Sequence, residues 1–253
     1  MAHDLATRRP TTATFGSQPA RGLHWTPARV TRSLLGYGVI AGPIYVVSVL
    51  VQGLTRPGFD LARHDASLLS NGDLGWIQIL TFVLTGAMVI TFSIGLARAF
   101  SFSDGAGATS SRHRWAGGAG SGWAPRLIGL YGLGLIGAGI FVADPMNGFP
   151  PGTPVGQPDA ISLHGLLHIV SAAVGFLGLV AGCLVTARRF ASEARPGWAL
   201  FSRITAIVFL AAFVGVASGS SNLAIVAGFW FALVLAWTWM AALGIHLYRR
   251  VTD

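Results

Sequence analysis

In the stretch DAISLHGLLHIV, from Asp159 to Val170, His164 and His168 stand four residues apart. Residues at i and i+4 share a helix face, with Cβ atoms about 5–6 Å apart. One helix can therefore present both imidazoles to a single ion. Three uses fit the pair: hydrogen bonding to a neighbouring helix, a proton relay or other contact without metal, and metal ligation. The pattern HxxxH alone does not choose between them, because Gly165 stands where HExxH would supply a catalytic carboxylate.

Asp144, in ADPMNGFPPGTP, is the nearest carboxylate in chain topology. Asp144, His164 and His168 make up the candidate metal set, and zinc is the ion that such donors suit. Three protein ligands with one open position would activate water for hydrolysis. The segment RHDASLLSNGDLGWIQ adds His64, Asp65 and Ser67. The candidate ligand-binding residues are thus His64, Asp65, Ser67, Asp144, His164 and His168, and the candidates for catalysis are His64, Ser67 and Asp144. Structural tasks compete for several of them. An Asp before Pro145 favours a turn, and a Ser or Asp in SLLSNGD suits a helix cap. The run PPG at Pro150 to Gly152 reads as a stiff loop.

The elements that must position these residues are membrane-spanning. Of 253 residues, 53% are hydrophobic and 10% charged, against about 25% charged in soluble domains. A span needs about 20 mostly apolar residues. Six stretches qualify, over about 34–54, 75–100, 127–143, 161–187, 200–218 and 223–248. The expected fold is an all-α, polytopic bundle of six transmembrane helices occupying residues 31–253, after a disordered cytoplasmic tail over 1–30. The third span is rich in glycine and should pack closely on its neighbours, as should Gly178 and Gly182. With a helix start near Ile161, His168 falls about 10 Å along the axis at ~1.5 Å per residue. Ionisable groups at such depth face the bundle interior.

A net charge of +8 in a soluble protein would suggest nucleic acid, but here the charge reports orientation. Arg8, Arg9, Arg21, Arg29 and Arg32 precede the first span. Arg98, Arg112, Arg114 and Arg126 surround the second connection, Arg188, Arg189, Arg195 and Arg203 the fourth, and Arg249 and Arg250 end the sixth span. Only Arg56 and Arg63 fall on the other side, so both termini are expected in the cytoplasm. Asp60, Asp65, Asp73, Asp144 and Asp159 all lie in the two longer outward loops. Trp76 should sit at the outer interface, with Trp115, Trp123 and Trp198 near the inner one.

All 17 basic residues are Arg, a bias that points to a GC-rich bacterial genome and hence to a bacterial plasma membrane. The lone Cys183 excludes a disulfide framework and a cysteine-based zinc site. Residues 101–125 read as a flexible cytoplasmic loop rich in Gly and Ser. Gln78, Thr81, Thr85 and Ser93 recur on one face of the second span. Interhelical hydrogen bonding explains that stripe better than a cavity lining. His246, beside Tyr248 and Arg249, reads as an interface residue. The chain contains no Walker loop, dinucleotide fingerprint or GxSxG elbow.

Taken in order, HDASLLSNGDLGWIQILTF, ADPMNGFPPGTP and SLHGLLHIVSA resemble a bacterial and archaeal membrane family catalogued as domain of unknown function 998. The resemblance runs from about Leu34 to Tyr248 and implies six transmembrane helices without an assigned activity. A looser similarity is to the membrane hydrolases that include alkaline ceramidases, which set a Ser, an Asp and three His around zinc. Ser67, His64, Asp144, His164 and His168 supply similar residue types. This chain departs from that pattern in having six spans instead of seven, HxxxH in the fourth span, and His64 ahead of Ser67. Two functions follow as expectations. One is a non-enzymatic membrane protein whose outer cluster binds a lipid, small molecule, ion or protons. The alternative is a metal-dependent hydrolase acting on a lipid or envelope substrate at the outer leaflet. The bilayer is the expected partner and nucleic acid is not; substrate and oligomeric state are not legible.

Overall fold

The computed structural model describes residues 26–106 and 114–251, with side chains described outside 103–121. Six long helices account for the described chain: α1 Pro27–Thr55, α2 Gly75–Ala106, α3 Arg114–Ile140, α4 Leu163–Ser192, α5 Pro196–Ala217 and α6 Leu223–Tyr248. All six are long and apolar enough to cross a membrane, and no strand occurs among the described residues. Their surface carries large exposed apolar side chains such as Val47, Leu54, Leu133, Ile207, Val214 and Phe231, as a lipid-facing bundle requires.

Capping residues set several boundaries. The Thr26 hydroxyl accepts from Arg29 N, with Pro27 in the first turn, so α1 begins inside the segment expected to be a tail. Ser162 caps α4 through Gly165 N, which moves that helix start two residues beyond Ile161. Helix also continues over 101–106 and resumes at Arg114, shortening the loop expected over 101–125. The tail expected over 1–30 lies, up to residue 25, outside the described residues.

The helices form a closed ring in chain order. Each packs on its neighbours in sequence, and α6 returns to pack on α1. Small residues permit the closest approach: a Cβ on Gly134 would lie 2.5 Å from Gly175 Cα, so α3 and α4 meet backbone to backbone there. Gly178 and Gly182 likewise rest on Leu127, Leu130 and Ile128 of α3, as expected of packing residues.

The two ends of the ring differ. At one end the buried side chains of Phe92, Phe100, Ile128, Phe190, Trp239 and Met240 fill the centre. Polar contacts also draw the helix ends together there. Arg32 donates to Val251 O, Arg98 to Thr31 Oγ1 at 3.0 Å, and Arg195 Nη1 to His246 Nε2 at 2.7 Å. Glu193 meets Arg189 at 2.9 Å and Arg250 at 3.7 Å. The other end carries the α1–α2, α3–α4 and α5–α6 connections and, of the arginines among the described residues, only Arg56 and Arg63. Its centre is hollow.

Between α1 and α2 the polar stripe is largely an interhelical seam. Gln52 Nε2 donates to Gln78 Oε1 at 2.9 Å, and Ser48 Oγ lies 2.7 Å from Thr81 Oγ1. Thr85 and Ser93 bond back to their own helix at Thr81 O and Ile90 O.

Candidate functional site

Three connections meet at the rim of the hollow end, and two of them are fixed by residues that the sequence offers as chemistry. The first, between α1 and α2, contains a 3₁₀ turn, Ala66–Ser70. Asp65 caps this turn: its Oδ1 accepts from Ser67 N at 3.0 Å and from the Ser67 hydroxyl. Arg56 closes the other end by donating to Leu69 O and Asn71 O. Its guanidinium lies 5.0 Å over the Phe149 ring. Burial pulls the Arg56 pKa below its ordinary value, against the opposing pull of Asp73.

His64 pins this connection to the next. Its Nδ1 accepts the Asp60 N–H at 2.9 Å, which places the ring proton on Nε2, and Nε2 donates to Asn147 O at 3.0 Å. The ring is buried between Phe59 and Phe149, with centroids 5.2 and 5.7 Å away. Both nitrogens are engaged, so His64 holds two loops together and has neither nitrogen free to act as a base.

Asp144 lies over the start of α4. Its Oδ2 accepts Ser162 N at 2.9 Å and its Oδ1 accepts the Ser162 hydroxyl at 2.5 Å. The same hydroxyl oxygen accepts Gly165 N at 2.9 Å. A carboxylate at a helix N-terminus is stabilised by the unpaired N–H groups and the helix dipole. The arrangement explains the residue between the histidines: a Cβ on Gly165 would sit 2.1 Å from Asp144 Oδ2. Gly165 gives up the carboxylate of HExxH to make room for one from the α3–α4 connection.

The two histidines of α4 part company. His168 is buried, and its Nδ1 lies 3.0 Å from Ala138 O and 2.8 Å from Phe141 O. A carbonyl only accepts, so Nδ1 carries the proton and satisfies carbonyls left open at the end of α3. His164 is exposed, edge-on to Phe141 at 6.0 Å. The expected metal set thus comes apart, with Asp144 bonded to Ser162, His168 to α3 and His164 facing outward. Among the described residues no three His, Cys, Asp or Glu side chains are grouped to hold a metal ion.

What the hollow end does hold is a cavity of about 320 Å³. Of the six candidate ligand residues, Asp65, Ser67, Asp144 and His168 line it; His64 lies behind the rim and His164 outside. Arg63, Asn147 and Gln157 complete a polar mouth, and Tyr45, Phe82, Tyr131, Phe176, Phe213 and Phe229 line the interior. Tyr45 and Tyr131 lie ten and nine residues from the ends of α1 and α3, about 15 Å down at ~1.5 Å per residue. That depth approaches the middle of a ~30 Å hydrocarbon layer. The sequence reading missed these aromatic residues and Ser162. A Ser three residues before Gly165 N is a capping signal, whereas single aromatics on six helices give no signal of a shared wall.

A family described as "Protein of unknown function (DUF998)" matches residues 39–246. The chain belongs to that family. The match takes in nearly all of the six-helix ring and every rim and cavity residue named above. No curated protein and no solved structure matches the chain. DUF998 membership agrees with the integral membrane fold and assigns no activity.

Proposed function

We propose that this DUF998 protein binds an amphiphile in the cavity of its hollow end, with the ligand's polar part at the mouth and its apolar part among the aromatic side chains. The observation that carries this reading is the cavity itself. A volume of about 320 Å³ falls at the lower end of small-molecule sites, which are typically apolar with a few convergent polar groups. A two-chain phospholipid is far larger, so a single-chain or ring amphiphile suits the space. Arginine placement supports a cavity that opens away from the cytoplasm, toward the outer leaflet of the cell membrane. Protein without catalytic machinery, acting as a carrier, receptor or envelope component, fits best. Hydrolysis gains no comparable support, because the Ser67 hydroxyl donates to Asp65 and both His64 nitrogens are taken.

The test is calorimetric binding of 1-decanol to purified protein in detergent. Ala172 lines the cavity, and Ala172→Trp fills it. Val174 is 44% exposed on the lipid face of the same helix, so Val174→Trp is the control. Saturable binding to wild type and Val174→Trp but not to Ala172→Trp is the expected result. Equal uptake by all three proteins would mean that the probe partitions into detergent or the outer surface, and would refute the reading.

A further inference from the structure

The cavity floor is not purely apolar, and its polar atoms say something about the ligand. Tyr45 and Tyr131 are 4% and 2% exposed, yet neither hydroxyl makes a hydrogen bond within the described residues. The buried side-chain atoms with neither partner nor open space are Gln52 Oε1 and Gln78 Nε2. The two tyrosine hydroxyls therefore open onto the cavity that their side chains line. Buried hydroxyls normally have partners, because leaving them unpaired is costly.

His168 adds a third such atom. With its proton on Nδ1, directed at Ala138 O and Phe141 O, the neutral ring keeps a lone pair on Nε2. That nitrogen has no protein partner among the described residues, and His168 lines the cavity. The wall thus offers an acceptor at His168 and two hydroxyls, each able to donate or accept.

The apolar surface between them is aromatic and ordered. Phe176 meets Phe213 edge-on at 5.2 Å and Phe229 at 5.8 Å, and lies 6.3 Å from Tyr131. Such spacings are those at which rings attract one another in offset or edge-to-face geometry. A planar ring entering this space gains the same contacts, without the rotor entropy that a flexible chain loses on binding.

We propose that the ligand's apolar part is an aromatic ring carrying a hydroxyl, a phenol-class group, whose O–H donates to His168 Nε2 and whose oxygen accepts from Tyr45 or Tyr131. This rests on the cavity being a binding site, as proposed above, and narrows the ligand from any compact amphiphile to a hydroxylated ring. Binding is the whole of the proposal; no bond is made or broken.

The test compares 2-naphthol, naphthalene and 1,4-naphthoquinone by calorimetric titration of the full chain in detergent, with 1-decanol alongside. Tyr45→Phe and Tyr131→Phe remove one oxygen each and preserve the rings, and thermal melts of both variants establish that they fold. In wild type, 2-naphthol should bind about tenfold more tightly than naphthalene, the worth of a single hydrogen bond. It should also bind more tightly than the quinone, which has no proton to give His168. At least one of the two substitutions should remove most of the advantage over naphthalene. Equal affinity for naphthol and naphthalene, a quinone that binds as well as naphthol, or two Phe variants indistinguishable from wild type would each overturn the proposal. If 1-decanol binds and the rings do not, amphiphile binding stands and the phenol inference falls; if nothing binds, both fall.

Discussion

Gly165→Ala is the sharpest test of how the rim is built, because two physical arguments give it opposite signs. In a helix, Ala is more favourable than Gly by up to about 1 kcal/mol, so propensity alone predicts a gain in stability. Here the new Cβ would lie 2.1 Å from Asp144 Oδ2 and 2.5 Å from Asp144 Cγ, far inside contact distance. Asp144 is the end of a rotatable side chain and would swing away. The cost is then set by what it leaves, its bonds to Ser162 N at 2.9 Å and to the Ser162 hydroxyl at 2.5 Å. Hydrogen bonds to charged groups contribute about 1.5–3 kcal/mol. Asp144 is half-buried, so water recovers part of the loss. Taking about 2–3 kcal/mol lost and up to about 1 kcal/mol regained, the variant should be about 1–3 kcal/mol less stable. The assay is a double-mutant cycle of thermal melts in detergent with Asp144→Ala. Gly165→Ala should lower the midpoint by a few degrees in the wild-type background, and leave it unchanged or raise it when Asp144 is absent. A stabilised Gly165→Ala with Asp144 in place would refute the account.

Three further outcomes are expected. Gly134→Ala should be strongly destabilising, by several kcal/mol on the scale of overpacked cores, because its Cβ meets Gly175 Cα at 2.5 Å and Ser171 O at 2.7 Å and backbone cannot rotate away; a melting temperature within a degree of wild type would contradict this. His64→Phe retains ring volume but leaves Asp60 N and Asn147 O without their partner. It should cost about 1–3 kcal/mol and speed proteolysis of the connection between α3 and α4, with helical circular dichroism unchanged. Val155 is 82% exposed in that connection. If the cavity faces outward as arginine placement predicts, a Val155→Cys chain should react with a membrane-impermeant maleimide in intact cells, while buried Cys183 stays silent; labelling only after lysis would reverse the orientation.

The spans were legible because each apolar run is long, and caps explain where the boundaries moved. Thr26 with Pro27, and Ser162 with Gly165, are short-range signals that apolar content overlooks. The candidate site was legible in part. Asp65, Ser67, Asp144 and His168 do share one cavity, since topology brings the odd-numbered connections to a single end. Their tasks were hidden because each depends on a partner distant in sequence. The spacing of His164 and His168 points to one ion, but α3 ends beside His168 with open carbonyls at Ala138 and Phe141, and those claim the imidazole. Asp144 faces α4 only because Gly165 has no Cβ. The cavity wall was invisible, since Tyr45, Tyr131, Phe176, Phe213 and Phe229 each look like ordinary packing residues until the ring closes.

The central claim is that the hollow end of the ring is a ligand site. Native mass spectrometry of wild type and Ala172→Trp, extracted gently from their own membranes, tests it most directly. The wild-type chain should carry a bound species of discrete mass, released on activation and identified as a compact amphiphile, and the Trp variant, folded by its thermal melt, should lack it. The same bound species on both proteins, or none on either under conditions that preserve surface lipids, would contradict the account.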